Sequence, residues 1–250
     1  QHGKPIVTFV IIGICTLVYF LIQFPLTDMT DYLYRYGFVP SYFFGNDNFM
    51  TKPEMITPWI TIFSSMFSHG SVMHLLGNMW FLWLYADNME DALGWKKFIL
   101  FYLLCGIIAT IAQGLLDTNS NIPMIGASGA ISGVMGGYLL IWPRANIRVF
   151  YWFIIFVGRI NVPAFIIFGF WLFEQFIALP QSMTSKGGIA IVAHLAGFAA
   201  GIILAPLLKK KGVPLLQKPF SNSFHRKGRN LKTRKGSIPR HKSNNKGPWE

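Results

Sequence analysis

The sequence is short of charge. Only 13% of its 250 residues are Asp, Glu, Lys or Arg, whereas 52% are hydrophobic and the mean hydropathy is +0.42. An ordinary soluble domain carries about 25% charged residues, so this balance excludes most soluble classes and points to a protein with several membrane spans. Cysteine is scarcer still. Cys15 and Cys105 both fall inside apolar runs, which leaves no disulfide framework and no cysteine metal spacing. No HExxH pair is present, no glycine-rich phosphate loop follows a strand, and Asn119-Ser120-Asn121 is not a glycosylation sequon.

The formal net charge of +12 is confined to one end. From Lys209 onward there are 13 Lys and Arg against a single acid, Glu250, leaving nine of each sign before it. The natural division is a membrane domain, 1–208, and a basic tail, 209–250. The tail mixes its charges with Ser, Asn, Gly and Pro, cannot bury enough surface to fold, and is expected to be disordered. Its expected place is the cytoplasmic face against anionic lipid, not nucleic acid.

A spanning helix needs about 20 mostly apolar residues. Six runs qualify or come close: 6–24, 72–86, 97–116, 128–142, 163–179 and 188–208. The first reads as a retained helix, because Pro25-Leu26-Thr27 offers no small-x-small cleavage site. The fold class is therefore an all-α polytopic membrane protein with six spans. The second run contains His74 and Asn78 and the fourth contains Ser128, Ser132 and several glycines. Polar or irregular backbone at membrane depth needs protein or a water-filled cavity around it, so both helices are expected to be central.

With the tail cytoplasmic, six spans put the N-terminus there too. The 143–162 connection then faces the cytoplasm with Arg144, Arg148, Arg159 and no acid, while the 25–70 connection carries four acids against Arg35 and Lys52. These signs obey the positive-inside rule, and the expected location is a bacterial cell (inner) membrane. The 25–70 connection is too long for a bare link. Its aromatics (Tyr32, Tyr34, Tyr36, Tyr42, Phe43, Phe44) suit short helices in the membrane interface.

Polar residues inside spans are costly, and a functional site is the default reading. His74 and Asn78 are four apart, share a helix face, and can donate hydrogen bonds to an oxyanion. Ser128 follows Gly126-Ala127 and precedes Gly129 at a helix start. The glycines allow close backbone approach, and the helix N-terminus offers free N–H groups to developing negative charge. His194 is the only histidine in the last run. Gly129, Gly133 and Gly137 form one small-residue ridge, and Gly197, Gly201 and Ala205 form another below His194. Two such ridges let membrane helices approach closely, which would bring serine and histidine to one depth. That makes a Ser–His pair without a carboxylate; Glu174, the one acid well inside a span, is not assigned to it. No metal and no cofactor is called for. A metal site on His69, His74 and His194 is the alternative chemistry, but His69 and His74 would lie about 140° apart if both were helical.

Taken together, these motifs resemble the rhomboid intramembrane proteases. The chain carries His69-Gly-Ser-Val-Met-His74-Leu-Leu-Gly-Asn78, then Gly126-Ala127-Ser128-Gly129, then Ala193-His194 with Gly197, Gly201 and Ala205. Met89-Glu90-Asp91-Ala92-Leu93-Gly94 resembles the turn after the family's second helix. The resemblance covers about residues 55–208. It implies a six-helix rhomboid-like bundle with a long membrane-associated first loop, acting on transmembrane protein substrates in the lipid bilayer. Ser128 would be the nucleophile and His194 its base. His74, Asn78 and the Ser128 N–H would hold the oxyanion, and His69 and Glu90 would be structural, as would Gly126, Gly129, Gly197 and Gly201. Residues Phe165, Phe168, Phe170, Trp171 and Phe173 would line a side gate, and 181–187 would form a cap loop. Two positions depart from the pattern. Ser132 stands where many members have an aromatic under the histidine, and Trp59 is followed by Ile60-Thr61 instead of arginine. A binding module on the same fold is the rival reading, although such relatives typically lack the serine or histidine. Oligomeric state is not written in the sequence.

Overall fold

The computed structural model describes residues 4–26, 28–45, 56–153, 156–184 and 190–218. Helix α1, Ile6–Leu17, runs on as a π-helical turn over Val18–Gln23. The first long connection then forms the short helices α2 (Thr30–Tyr36), α3 (Pro40–Phe43) and α4 (Pro58–Ser65). Proline opens the last two, where its missing N–H costs nothing. The connection is sewn together by rings: Tyr32 against Tyr36, Phe38 against Phe43, and Phe43 against Trp59. Trp59 makes one of these ring contacts and is otherwise exposed.

Helix α5, Val72–Leu93, starts at Ser71, whose hydroxyl accepts from the His74 N–H. It runs seven residues past the end expected at 86. Asp87, Asn88, Glu90 and Asp91 end the apolar run, but Leu82, Tyr85, Ala86, Met89 and Leu93 keep one buried face going at helical spacing. Gly94, at φ +85°, turns the chain at once into α6, Trp95–Leu116. Helix α7, Ser128–Ile141, follows an extended segment that pairs Phe38 with Met124.

Helices α8 (Ala164–Thr184) and α9 (Ile191–Leu208) complete the bundle. Between α7 and α8 lies a departure from the all-α expectation, an antiparallel hairpin of β1 (Asn146–Phe153) and β2 (Phe156–Pro163), with Arg148 opposite Asn161 and Phe150 opposite Arg159. Ile147, Val149, Tyr151, Ile160 and Val162 are strand formers on alternate positions, a period hidden when the segment is read only for charge. The 181–187 cap loop also changes: Gln181 to Thr184 belong to α8, and 185–187 lie outside the described residues.

Helices over Ile6–Gln23, Trp95–Leu116, Ala164–Gln181 and Ile191–Leu208 are each long and apolar enough to cross a membrane. The chain is an all-α polytopic membrane protein apart from the hairpin. Helix α7 is central, with every residue from Gly129 to Tyr138 buried. Helix α5 is not central. Met73, Leu76, Trp80 and Trp83 leave one of its faces exposed. Its other face holds Glu90, whose carboxylate accepts from the Val7 and Thr8 backbone N–H groups and the Thr8 hydroxyl at 2.8–3.0 Å. One buried acid thus satisfies the orphan donors at the start of α1. The chain does not leave the bundle at Lys209. The Lys210 backbone N–H donates to the Ala92 carbonyl, and those of Leu216 and Gln217 donate to Leu140 and Ile141. The rest of the expected tail, from residue 219, lies outside the described residues.

Candidate active site

Fourteen residues of α7 rise roughly 21 Å at 1.5 Å per residue, short of the ~30 Å hydrocarbon core. Ser128, its first residue, therefore stops below one membrane face if Ile141 reaches the other. The turn before it is built on Gly126 at φ +126°, with its N–H bonded to the Ser65 carbonyl. A side chain at Gly126 would be strained, and its Cβ would meet His74 Cε1 and Nε2 at 2.8–2.9 Å. Glycine here brings the serine turn directly against His74.

Helices α7 and α9 meet as the two ridges predict. A Cβ on Gly197 would run into the Gly129 carbonyl, and one on Gly201 into the Gly133 carbonyl. Ala205 lies one turn on, opposite Gly137. This contact sets Ser128 level with His194, and Ser128 Oγ lies 2.8 Å from His194 Nε2. The other ring nitrogen, Nδ1, lies 2.8 Å from Gln175 Oε1 on α8. The start of α9 is pinned one residue earlier, where the Ala193 N–H donates to Gln113 Oε1 of α6 at 3.0 Å.

Ser132 gives His194 no support, because its hydroxyl donates back to the Ser128 carbonyl at 2.8 Å. The aromatic comes from α8 instead. The Trp171 ring centroid lies 6.1 Å from that of His194 and 5.7 Å from Phe198. Phe168, fully buried against Tyr85 and Tyr138, continues this inward face of α8. Phe165, Phe170 and Phe173 point outward, so the five residues expected to line a gate divide between two faces.

His74 and Asn78 sit on α5 across from the serine, and both line a cleft of about 220 Å³ with Ser128, Trp171 and His194. Asn78 Nδ2 donates one hydrogen to the His74 carbonyl at 2.9 Å, leaving its second for another acceptor. A larger cavity of about 550 Å³ opens on the other side of Ser128, between Ile122–Gly126, Ala109, Thr110 and His194.

His69 precedes α5 and is not helical, so its ring meets that of His74 edge-on, with centroids 5.2 Å apart. The 140° separation expected for two helical positions does not apply. The His69 backbone is clamped at both ends by the Gln23 amide, each bond 3.0 Å long. Burial, and then the neighbouring His74, hold its imidazole down at about 4, so it is neutral near pH 7. Among the described residues, no three His, Cys, Asp or Glu side chains gather where they could hold a metal ion.

Sequence reasoning missed Gln23, Gln113 and Gln175. Each is a glutamine in an apolar helix, and the cost of an amide there is the signal that could have found them. Glu174, the acid of this helix, is exposed, and its uncharged neighbour Gln175 makes the bond to His194.

The fold and these helices define a polytopic helical membrane protein with a paired serine and histidine between its spans. The model of the Rhomboid domain matches residues 57–211, more than half of the chain, and the protein belongs to the rhomboid family. It is similar to presenilin-associated rhomboid-like protein A, mitochondrial, of Danio rerio, with 31% identity over 40% of this chain and 27% of the relative. It is also similar to rhomboid protein 1, mitochondrial, of Saccharomyces cerevisiae, with 30% identity over 40% of this chain and 30% of the relative. A bacterial relative, rhomboid protease GluP of Bacillus subtilis, is 29% identical over 56% of this chain and 25% of its own length. The matched segments thus span between a quarter and a third of these relatives.

Proposed function

We propose that this protein is an intramembrane serine endopeptidase, cutting a peptide bond in or near the transmembrane segment of membrane-protein substrates. The observation that carries the proposal is the 2.8 Å contact between Ser128 Oγ and His194 Nε2. The cavity and cleft beside that contact give it a place for substrate, and family membership favours the same chemistry.

In the proposed reaction, His194 Nε2 takes the Ser128 hydroxyl proton as Oγ attacks the scissile carbonyl carbon. The tetrahedral oxyanion is held by His74, the free amide hydrogen of Asn78 and the Ser128 N–H at the start of α7. The imidazolium then protonates the departing amine, leaving an acyl-enzyme. A water gives its proton to His194, attacks the ester and restores the serine. His69, Glu90 and the glycines at 126, 129, 197 and 201 act by shaping the bundle. The loop charges favour cytoplasmic termini; reporter fusions at each terminus test that orientation.

The reaction is tested by cleavage of a single-span reporter, with small helix-weakening residues in its span, by the full chain in liposomes. Wild type is compared with Ser128→Ala and His194→Ala, with and without a chelator. Chelator-resistant cleavage by wild type alone supports the reading. Equal cleavage by all three contradicts it.

A further inference from the structure

We propose that Gln175 is a positioning residue for the catalytic base, the third member of a Gln175–His194–Ser128 triad drawn from helices α8, α9 and α7. The inference rests on the serine protease reading above and assigns a role to a side chain that no rhomboid-like motif in this chain includes.

A neutral imidazole carries one proton, and which nitrogen holds it decides whether His194 can act on Ser128. With the proton on Nε2, the ring donates toward the serine and cannot accept its hydroxyl hydrogen. With the proton on Nδ1, Nε2 has a free lone pair at the serine. The carbonyl oxygen Oε1 of Gln175 stands 2.8 Å from Nδ1 and can only accept. It therefore holds the hydrogen on Nδ1 and leaves Nε2 free to take the proton from Ser128 Oγ, also at 2.8 Å. A buried acid commonly fills this role in serine hydrolases. An amide does so here without a second charge in an apolar bundle, where a carboxylate is expensive.

The geometry holds Gln175 to this task. It lies four residues after Trp171 and seven after Phe168, so all three share the inward face of α8. Trp171 packs on the His194 ring while Gln175 bonds its edge, fixing the plane of the ring and its rotation. Ser132 is turned back on its own helix and supplies neither. As the imidazolium forms, Oε1 keeps its bond to Nδ1–H and stabilises the charged ring, and no proton passes to Gln175.

The test compares Gln175→Met, which keeps the length and removes the acceptor, with Gln175→Glu, which keeps an acceptor oxygen at the same reach. Reporter cleavage in liposomes is measured beside the nitrogen-15 spectrum of histidine-labelled full-length protein, which reports which ring nitrogen is protonated. The expected result is a fall in kcat of roughly 10²-fold for Gln175→Met with KM unchanged, the lower end of what a general base contributes, and substantial recovery in Gln175→Glu. His194 should show a protonated Nδ1 in wild type and Gln175→Glu, and loss of that preference in Gln175→Met. Wild-type kcat in Gln175→Met, or a fall in kcat without a change of tautomer, overturns the proposal. If wild type itself cleaves nothing, the protease reading fails, and the tautomer comparison still decides whether Gln175 orients His194.

Discussion

Gly201 of α9 lies against the carbonyl oxygen of Gly133 of α7, with no room for even a methyl group between the two helices. Four residues earlier Gly197 meets Gly129 in the same way, and this contact sets the separation of Ser128 and His194. Gly201→Ala is therefore expected to force the helices apart, at a cost of about 1–3 kcal/mol or more from overpacking. Gly169, with nothing within 4 Å of its Cβ position, is the control. Gly169→Ala should be neutral or stabilising, since alanine suits a helix better than glycine. Thermal unfolding midpoints in one detergent check both.

Glu90 is expected to carry the docking of α1. Removing its carboxylate leaves the Val7 N–H, Thr8 N–H and Thr8 hydroxyl without their acceptor. Unmet buried donors cost about 1–3 kcal/mol each, so Glu90→Ala should lower stability by roughly 3 kcal/mol or more. Thr8→Val, which removes one donor and keeps the shape, should cost about 1 kcal/mol. Denaturant unfolding in mixed micelles measures both, and equal losses contradict the assignment.

Oxyanion stabilisation predicts a different signature. His74→Ala and Asn78→Ala should each lower kcat by about 10²- to 10³-fold with little change in KM, because in the proposed reaction these donors bind charge that exists only in the transition state. Steady-state kinetics on the reporter separate the two constants. A rise in KM at constant kcat would assign the pair to substrate binding instead.

Trp171 supplies the aromatic surface that Ser132 does not. Trp171→Ala removes a ring pair worth about 0.5–1.5 kcal/mol, and kcat should fall about 2- to 10-fold. Trp171→Phe should retain most of the activity. The same kinetics check this, and an unaffected Trp171→Ala assigns the tryptophan to packing alone.

The fold was largely legible in the sequence, for reasons that differ by element. Apolar length marked four spans, and the ridges of Gly129, Gly133 and Gly137 against Gly197, Gly201 and Ala205 gave a close helix pair. The meeting of Ser128 and His194 followed from that register. The continuation of α5 past Ala86 did not, because its buried stripe persists through residues whose composition is polar. The hairpin was hidden because Arg148 and Arg159 mark the segment by charge while the alternating residues around them set the structure. At the site, the histidines and the serine stood out for their chemistry. Gln175 and Gln113 did not, since an amide in an apolar helix signals that a partner is needed without naming it. The partner of Gln175, His194, lies 19 residues away in sequence, and that of Gln113, Ala193, lies 80 away.

Activation of Ser128 by His194 is the step on which the proposed reaction turns. Its most direct measurement is covalent labelling of the full chain in liposomes with a fluorophosphonate serine probe, followed by peptide mass spectrometry. A single adduct is expected on Ser128 in wild type, and none at that position in His194→Ala. Labelling of Ser128 at the same rate in both proteins, or of another serine in place of Ser128, would contradict it.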